Sequence, residues 1–228
     1  VSLSSPWDVL WSDVTDSVIV AMAGTHQIFS FSPRTGELRV LAGTGLEGLT
    51  DGVAEEAWFA QTSGLAADAH GDIWLADSET SSLRVLRLSQ DPEAPAVETV
   101  VGEGLFDFGF RDGDPQEARL QHPLGVTVLP DSSVLVADTY NGAIRRYRGE
   151  HRAADGTTVP AAVSTVTRGL KEPSDVLLGG EAVGGDLGTL LVVETNAHEL
   201  VRVAVPEEFL TVDEGCLLYT SDTADDSL

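Results

Sequence analysis

Five histidines (His26, His70, His122, His151 and His198) and 37 acidic side chains are the groups of this 228-residue chain suited to hold a metal ion or move a proton. A metal site needs His or carboxylate ligands converging from several segments on one point. The histidines share no position in the repeated segments of the chain, except that His26 and His198 fall loosely together, one register apart in a turn. No metal site and no cofactor are therefore expected. No G-x-S-x-G, H-E-x-x-H, P-loop or dinucleotide fingerprint occurs, so no catalytic residue is assigned. Acids do recur: Asp77, Asp138 and Glu194 each close an apolar run. The expectation is that these carboxylates cap turn amides locally.

The elements that must position these side chains are near copies of one hairpin. "VLVADTYNGAIRRY" (134–147) resembles "IWLADSETSSLRVL" (73–86), "LLVVETNAHELVRV" (190–203) and a degenerate "VIVAMAGTHQIFSF" (18–31). An aliphatic residue re-enters six positions after the acid position in all four, at Ile28, Leu83, Ile144 and Leu200. A short element precedes each hairpin: "SPWDVLW", "TSGLAAD", "HPLGVTV" and "EPSDVLL". Aligning Pro6, Ser63, Pro123 and Pro173 gives periods of 57, 60 and 50 residues. A third element, Asp-Gly followed by Ala, then an aromatic residue or Leu, then Gln, precedes two of them at 50–65 and 111–126. A fourth strand, such as "ELRVLAG" or "VETVVG", completes each unit. Helical periodicity is weak, with at most one turn in "VAEEAWFA" (53–60). Four antiparallel strands repeated at this spacing predict blades that stack because one sheet alone cannot bury both of its faces.

Pro-x-Gly-Val followed by "VLVADTYNGAIRRY" resembles the NHL repeat. The ordered segments "SSPWDV", "AMAGTHQI", "WFAQTSGL", "ADSETSSLRVL", "LQHPLGV" and "VADTYNGAIR" resemble more narrowly the NHL-repeat-containing proteins that join a thioredoxin-like domain to a six-bladed propeller. The resemblance covers residues 3 to about 205. It departs at Met22, which replaces the turn acid, and at "TVTRGLKEP", which lacks the Asp-Gly element. It implies an all-β, NHL-type propeller fragment over 1–215, with visible blades near 3–45, 60–104, 120–168 and 171–213. Further blades and a thioredoxin-like domain are expected in a full-length chain. The redox motif of that domain is carried over to no residue here. The implied function is a binding scaffold for an unidentified protein or small-molecule ligand. The alternative is a lyase- or lactonase-type propeller enzyme with a metal on its channel face, and a third possibility is an extracellular ligand-binding propeller.

Composition narrows the partners. Thirteen Lys and Arg against 37 Asp and Glu give a net charge of −24, which repels phosphate backbones and anionic lipid. Neither nucleic acid nor a membrane is an expected partner. No run approaches the roughly 18 apolar residues of a membrane span. The arginine bias fits a GC-rich, bacterial genome, and the location is taken as cytoplasmic. Cys216, the one cysteine, opens "CLLYTSDTADDSL" (216–228). Cys216 to Asp222 resembles a translated sequencing adapter, and 216–228 is expected to add no strand and little to the core.

Within a blade, the connection entering the inner strand and the turn after the second strand emerge on one face. That face collects Asp51, Gln61, Gln121, Arg111, Asp112, His122, Tyr140 and Asn141. Beside them, "GLFDFGFRDG" (104–113) places Phe106, Phe108 and Phe110 in an interblade connection. Packing over the channel mouth or the next blade is expected for these rings, and a partner-docking patch is the alternative. Trp7, Leu65, Leu124 and Val176, with Ile73, Val136 and Val192, are expected in the interblade core.

Overall fold

The computed structural model describes residues 3–153, 155–179 and 188–211; the tail 216–228 lies outside them. Blade I is the sheet β1 (Pro6–Ser12), β2 (Ser17–Met22), β3 (Gln27–Phe31) and β4 (Leu38–Ala42), paired in that order. The connection to blade II holds β5 (Gly52–Val53) and a single 3-10 turn at Ala54–Glu56. Blade II follows as β6 (Thr62–Ala67), β7 (Ile73–Asp77), β8 (Ser82–Arg87) and β9 (Ala96–Val101), with β5 added outside β9. Blade III comprises β10 (Val126–Val128), β11 (Val134–Asp138) and β12 (Ala143–Arg148). A side hairpin, β13 (His151–Arg152) and β14 (Thr158–Val159), leads to its outer strand β15 (Ala162–Arg168). Among the described residues, blade IV has β16 (Pro173–Leu178), β17 (Thr189–Glu194) and β18 (Glu199–Ala204).

The continuous apolar runs of the second strands follow from burial on both faces. Successive side chains point to opposite sides of a strand. In β7, Ile73 and Leu75 enter the core shared with Ile19 and Ile28 of blade I, whereas Trp74 and Ala76 enter the core shared with Val126 and Val136 of blade III. In β11, Val134 and Val136 face blade II, while Leu135 and Ala137 meet Val176, Leu190 and Val192 of blade IV. Among the described residues, the cores join blade I to II, II to III and III to IV. The terminal faces stay open. On blade I, Val9 is 59% and Trp11 48% exposed; on blade IV, Leu200 is 71% exposed.

Two sequence readings need correction. First, Thr62, not Ser63, stands where Pro6 and Pro173 stand: Thr62 pairs with Asp77 as Pro6 pairs with Met22 and Pro173 with Glu194. The same one-residue slip misplaces Gln61 against Gln121. Gln61 matches His122, both at positive φ and immediately before the equivalent positions Thr62 and Pro123. Second, Trp7 is 50% exposed and Leu124 only half-buried, although Ile73, Val136, Val176 and Val192 are buried as expected and Leu65 is 7% exposed. A bulge interrupts the inner strand between Pro6 and Asp8, as it does between Thr62 and Leu65 and between Pro173 and Asp175. The bulged position turns towards the propeller axis instead of the neighbouring blade.

Near that axis the inner strands touch backbone to backbone. A Cβ on Gly64 would lie 2.4 Å from the Leu124 carbonyl oxygen, and one on Gly125 would lie 2.7 Å from the Asp175 Cα. Gly64→Ala is expected to lower stability by about 1–3 kcal/mol through overpacking. Gly149→Ala, where the nearest atom would be 3.5 Å away, serves as the near-neutral control. Thermal melts of both variants check this, and equal melting temperatures would refute the tight axial packing.

Candidate functional site

The acids that close the second strands lock the incoming connection. Asp77 is fully buried, and its Oδ1 accepts the Ala60 amide at 2.8 Å and the Thr62 hydroxyl at 3.2 Å. Asp138, also fully buried, accepts the Gln121 amide at 2.7 Å, and Glu194 accepts the Lys171 amide at 3.1 Å. These donors lie in the segment entering the same blade's inner strand. Within their own turns the carboxylates accept side-chain donors, the Thr80 hydroxyl on Asp77 at 3.0 Å and the Asn141 amide on Asp138 at 2.9 Å, while the backbone amides they hold lie across the sheet edge in the incoming connection.

Two arginines that sequence reasoning did not single out complete this lock. Arg84 and Arg145 are fully buried. Arg145 Nη1 donates to Asp138 at 2.8 Å and to the Arg119 carbonyl at 3.0 Å; its Nη2 donates to the Arg111 carbonyl and to Asp112 Oδ1, each at 2.6 Å. Arg84 repeats the arrangement with Asp77, Asp51 and the carbonyls of Trp58 and Thr50. Asp51 and Asp112 go on to accept the backbone amides of Thr99 and Thr165 in the outer strands. The Asp-Gly element is therefore a structural tie. Burial pushes the Asp77 and Asp138 carboxyls up, and the arginines oppose it. A signal was present in the sequence: Arg stands seven residues after both aspartates, whereas Val201 and Phe29 stand there after Glu194 and Met22.

The remaining candidates gather on the face above blade III. The His122 and Tyr140 rings stack at 4.4 Å, and His122 Nδ1 lies 3.8 Å from Glu79. Asn141 Nδ2 donates to the Gly109 carbonyl at 2.7 Å and to Asp138 at 2.9 Å. The Arg111 side chain is exposed, 3.9 Å from Glu117. The positive φ of His122 is shared by Ser5, Gln61 and Glu172 at equivalent positions, so it belongs to the blade and not to a strained site. The phenylalanines do not pack away as expected. Phe106 is 91%, Phe108 55% and Phe110 45% exposed. Only Phe110 has a built partner, the Arg145 guanidinium 4.5 Å from its ring centre. Behind the rings the backbone is held where Gly109 is bonded both to Leu120 and to Asn141.

At the axis, a pocket of about 240 Å³ is lined by Trp7, Asp8, Ser63, Gly64, Leu124, Gly125, Ser174 and Asp175, one pair from each inner-strand entry. Asp8 accepts the amides of Val9 and, across the blade boundary, Leu65, both at 2.8 Å. Asp175 accepts the Val176 amide at 2.8 Å. Burial pushes both carboxyls up, and the charge on Asp8 raises Asp175 further. Sequence reasoning missed both acids, because they alternate with glycine at one repeat position. His26 Nδ1 accepts the Gln61 amide at 3.1 Å and so stitches blade I to blade II. Among the described residues, no three His, Cys, Asp or Glu side chains come together as a metal set.

Radially stacked antiparallel sheets with inner strands converging on an axis define a β-propeller domain. No protein-family model matches the chain. NHL repeat-containing protein 2 of Homo sapiens is 34% identical over 243 residues, spanning 92% of this chain and 32% of that protein. Protein SUPPRESSOR OF QUENCHING 1, chloroplastic, of Arabidopsis thaliana is 38% identical over 148 residues, spanning 63% of this chain and 14% of that protein. Among solved structures, a putative gluconolactonase matches with a TM-score of 0.60 at 15% identity, over 90% of this chain and 61% of that one. Virginiamycin B lyase from Staphylococcus aureus matches with 0.54 at 12% identity, over 88% and 53%. At such identities the likeness concerns the fold alone. The chain belongs to the NHL-repeat β-propeller family. It spans about a third of the length of NHL repeat-containing protein 2.

Arg145→Met is expected to cost roughly 3–5 kcal/mol, because it leaves Asp138 buried and uncompensated. Asp138→Asn combined with Arg145→Met should recover part of that loss in denaturant titrations; strictly additive losses would contradict the coupling. Asp175→Asn keeps the acceptor for Val176. The folded Asp175 carboxyl holds its proton to higher pH than the unfolded one, whose ordinary value is 3.8. Its favourable contribution is present below that value and lost as pH rises through the folded pKa. The substitution should therefore stabilise the protein at neutral pH and make no difference in acid, as melts across pH will test.

Proposed function

We propose that this domain is a non-catalytic binding scaffold within a longer NHL-repeat polypeptide of the kind that joins a thioredoxin-like domain to a propeller. The observation that carries this reading is the aromatic loop above blade III. Phe106 and Phe108 stand in solvent on a backbone fixed by Gly109, Asn141 and the Arg119–Asp107 ion pair at 2.7 Å. Exposed aromatic rings on a rigid support form the centre of many protein interfaces. The open faces of blades I and IV support a longer ring, because Val9, Trp11, Leu177 and Leu200 would be covered by further blades.

The competing reading is an axial enzyme site, favoured by Asp8 and Asp175 facing one pocket with raised pKa values. A putative gluconolactonase and virginiamycin B lyase share the fold. A direct assay separates the two. Incubation of the chain with D-glucono-δ-lactone, with and without added Ca²⁺, should give hydrolysis indistinguishable from buffer. A metal-dependent rate abolished by Asp8→Asn or Asp175→Asn would install the enzyme reading instead.

A further inference from the structure

The connections before blades II and III share one frame. Residues 43–52 read GTGLEGLTDG and residues 102–113 read GEGLFDFGFRDG. Gly43 and Gly102 open them at φ 99° and 109°, and the terminal Asp of each binds the buried arginine of its blade. Gly48 and Gly109 match in conformation at φ 155° and 157°, and their amides donate to the equivalent carbonyls of Phe59 and Leu120. Between these anchors, Glu47 alone is replaced by Phe106, Asp107 and Phe108. The shorter connection makes the same anchoring bonds, so the added residues are not required to cross from one blade to the next.

The added rings are displayed rather than buried. Phe106 is 91% exposed, and Tyr140, stacked on His122, adds a ring that is 60% exposed on the same face. Asp107 turns inward to Arg119 at 2.7 Å and holds the projection from its base. The surrounding charges balance negative: Glu103 (62% exposed, 3.4 Å from Arg119), Glu117 (74% exposed, 3.9 Å from Arg111), Asp107 and Glu79 stand against the two arginines Arg119 and Arg111. Arg111 is the exposed cation among them, and the chain as a whole carries −24. An acidic rim around apolar anchors complements a segment in which apolar side chains alternate with lysine or arginine, and it repels acidic ones. The protein already places guanidinium groups on aromatic rings, with Arg145 at Phe110 and Arg84 at Phe59, both at 4.5 Å.

We infer that the Phe106–Phe108 projection docks a basic segment of a partner protein, with apolar side chains of that segment seated against the two rings. This rests on the scaffold reading and adds the partner's chemistry and its point of contact. The test is selection of a randomised peptide display library on the full chain, with counter-selection on Phe106→Ser/Phe108→Ser. Both rings are exposed, so the variant should melt as the parent does. The expected winners combine basic and apolar residues. A synthetic winner should lose about tenfold or more in affinity for the variant, as removal of central aromatic anchors does. Its binding should also weaken with added salt. Acidic or uncharged winners, or winners that bind the variant equally well, overturn this inference while leaving a scaffold that binds elsewhere. Failure to enrich any sequence overturns the inference. The scaffold reading fails separately, on lactone turnover that depends on Asp8 or Asp175.

Discussion

The buried pairing of Asp138 with Arg145, and of Asp77 with Arg84, is the constraint on which the upper half of the molecule depends. Each guanidinium sits at 0% exposure within a fan of backbone carbonyls and carboxylates. Burying a charge costs several kcal/mol unless hydrogen bonds replace its water. Here the replacement comes from the connection crossing between blades, so the ion pair forms only when that connection lies in place. The carboxylate holds the amide at the start of the inner strand, and the arginine holds the carbonyls before it. One charged pair thereby fixes the order of four segments: second strand, third strand, connection and, through Asp51 or Asp112, outer strand.

This arrangement separates support from display. The blades bury their apolar side chains against one another in three interblade cores, and the arginine–aspartate ties lie at the ends of the strands. A connection anchored at both ends tolerates insertion between its anchors, because closing a slightly longer loop adds little entropic cost. Residues 106–108 exploit that tolerance: the frame is the same as in residues 43–52, but the added rings project into solvent. Blade IV keeps the tie from its acid to the incoming connection, Glu194 to the Lys171 amide, but lacks the arginine half of the lock. Its acid is Glu194, its third strand carries Val201 where they carry arginine, and no Asp-Gly element precedes it.

The axis obeys a different rule. Inner strands approach so closely that glycine at 64 and 125 is needed to avoid backbone collision, while Asp8 and Asp175 occupy the same repeat position in blades I and IV. There the carboxylates accept backbone amides, and Asp8 reaches across to Leu65 of the next blade. A residue that is a spacer in two blades is a polar bridge or acid in the other two, which is how the pocket acquires charge without disturbing the repeat.

The repeat, the all-β class and the two-sided burial of the second strands were legible in the chain, because alternation and turn chemistry are local properties written into each blade. Ile73, Val136, Val176 and Val192 were legible as core for that reason. The sequence also marked Asp77, Asp138 and Asp112 as special by recurrence. What recurrence could not supply was the partner of each acid: Ala60 and Gln121 lie 17 residues before theirs, and Arg84 and Arg145 join through contacts that exist only once the connection has crossed the sheet edge. Trp7 was misread for a similar reason, since a bulge reverses the facing that simple alternation assigns. The exposure of Phe106 and Phe108 was likewise settled by tertiary structure alone. Apolar side chains in a connection are buried or displayed according to where the anchors of that connection are held, and those anchors belong to other parts of the chain.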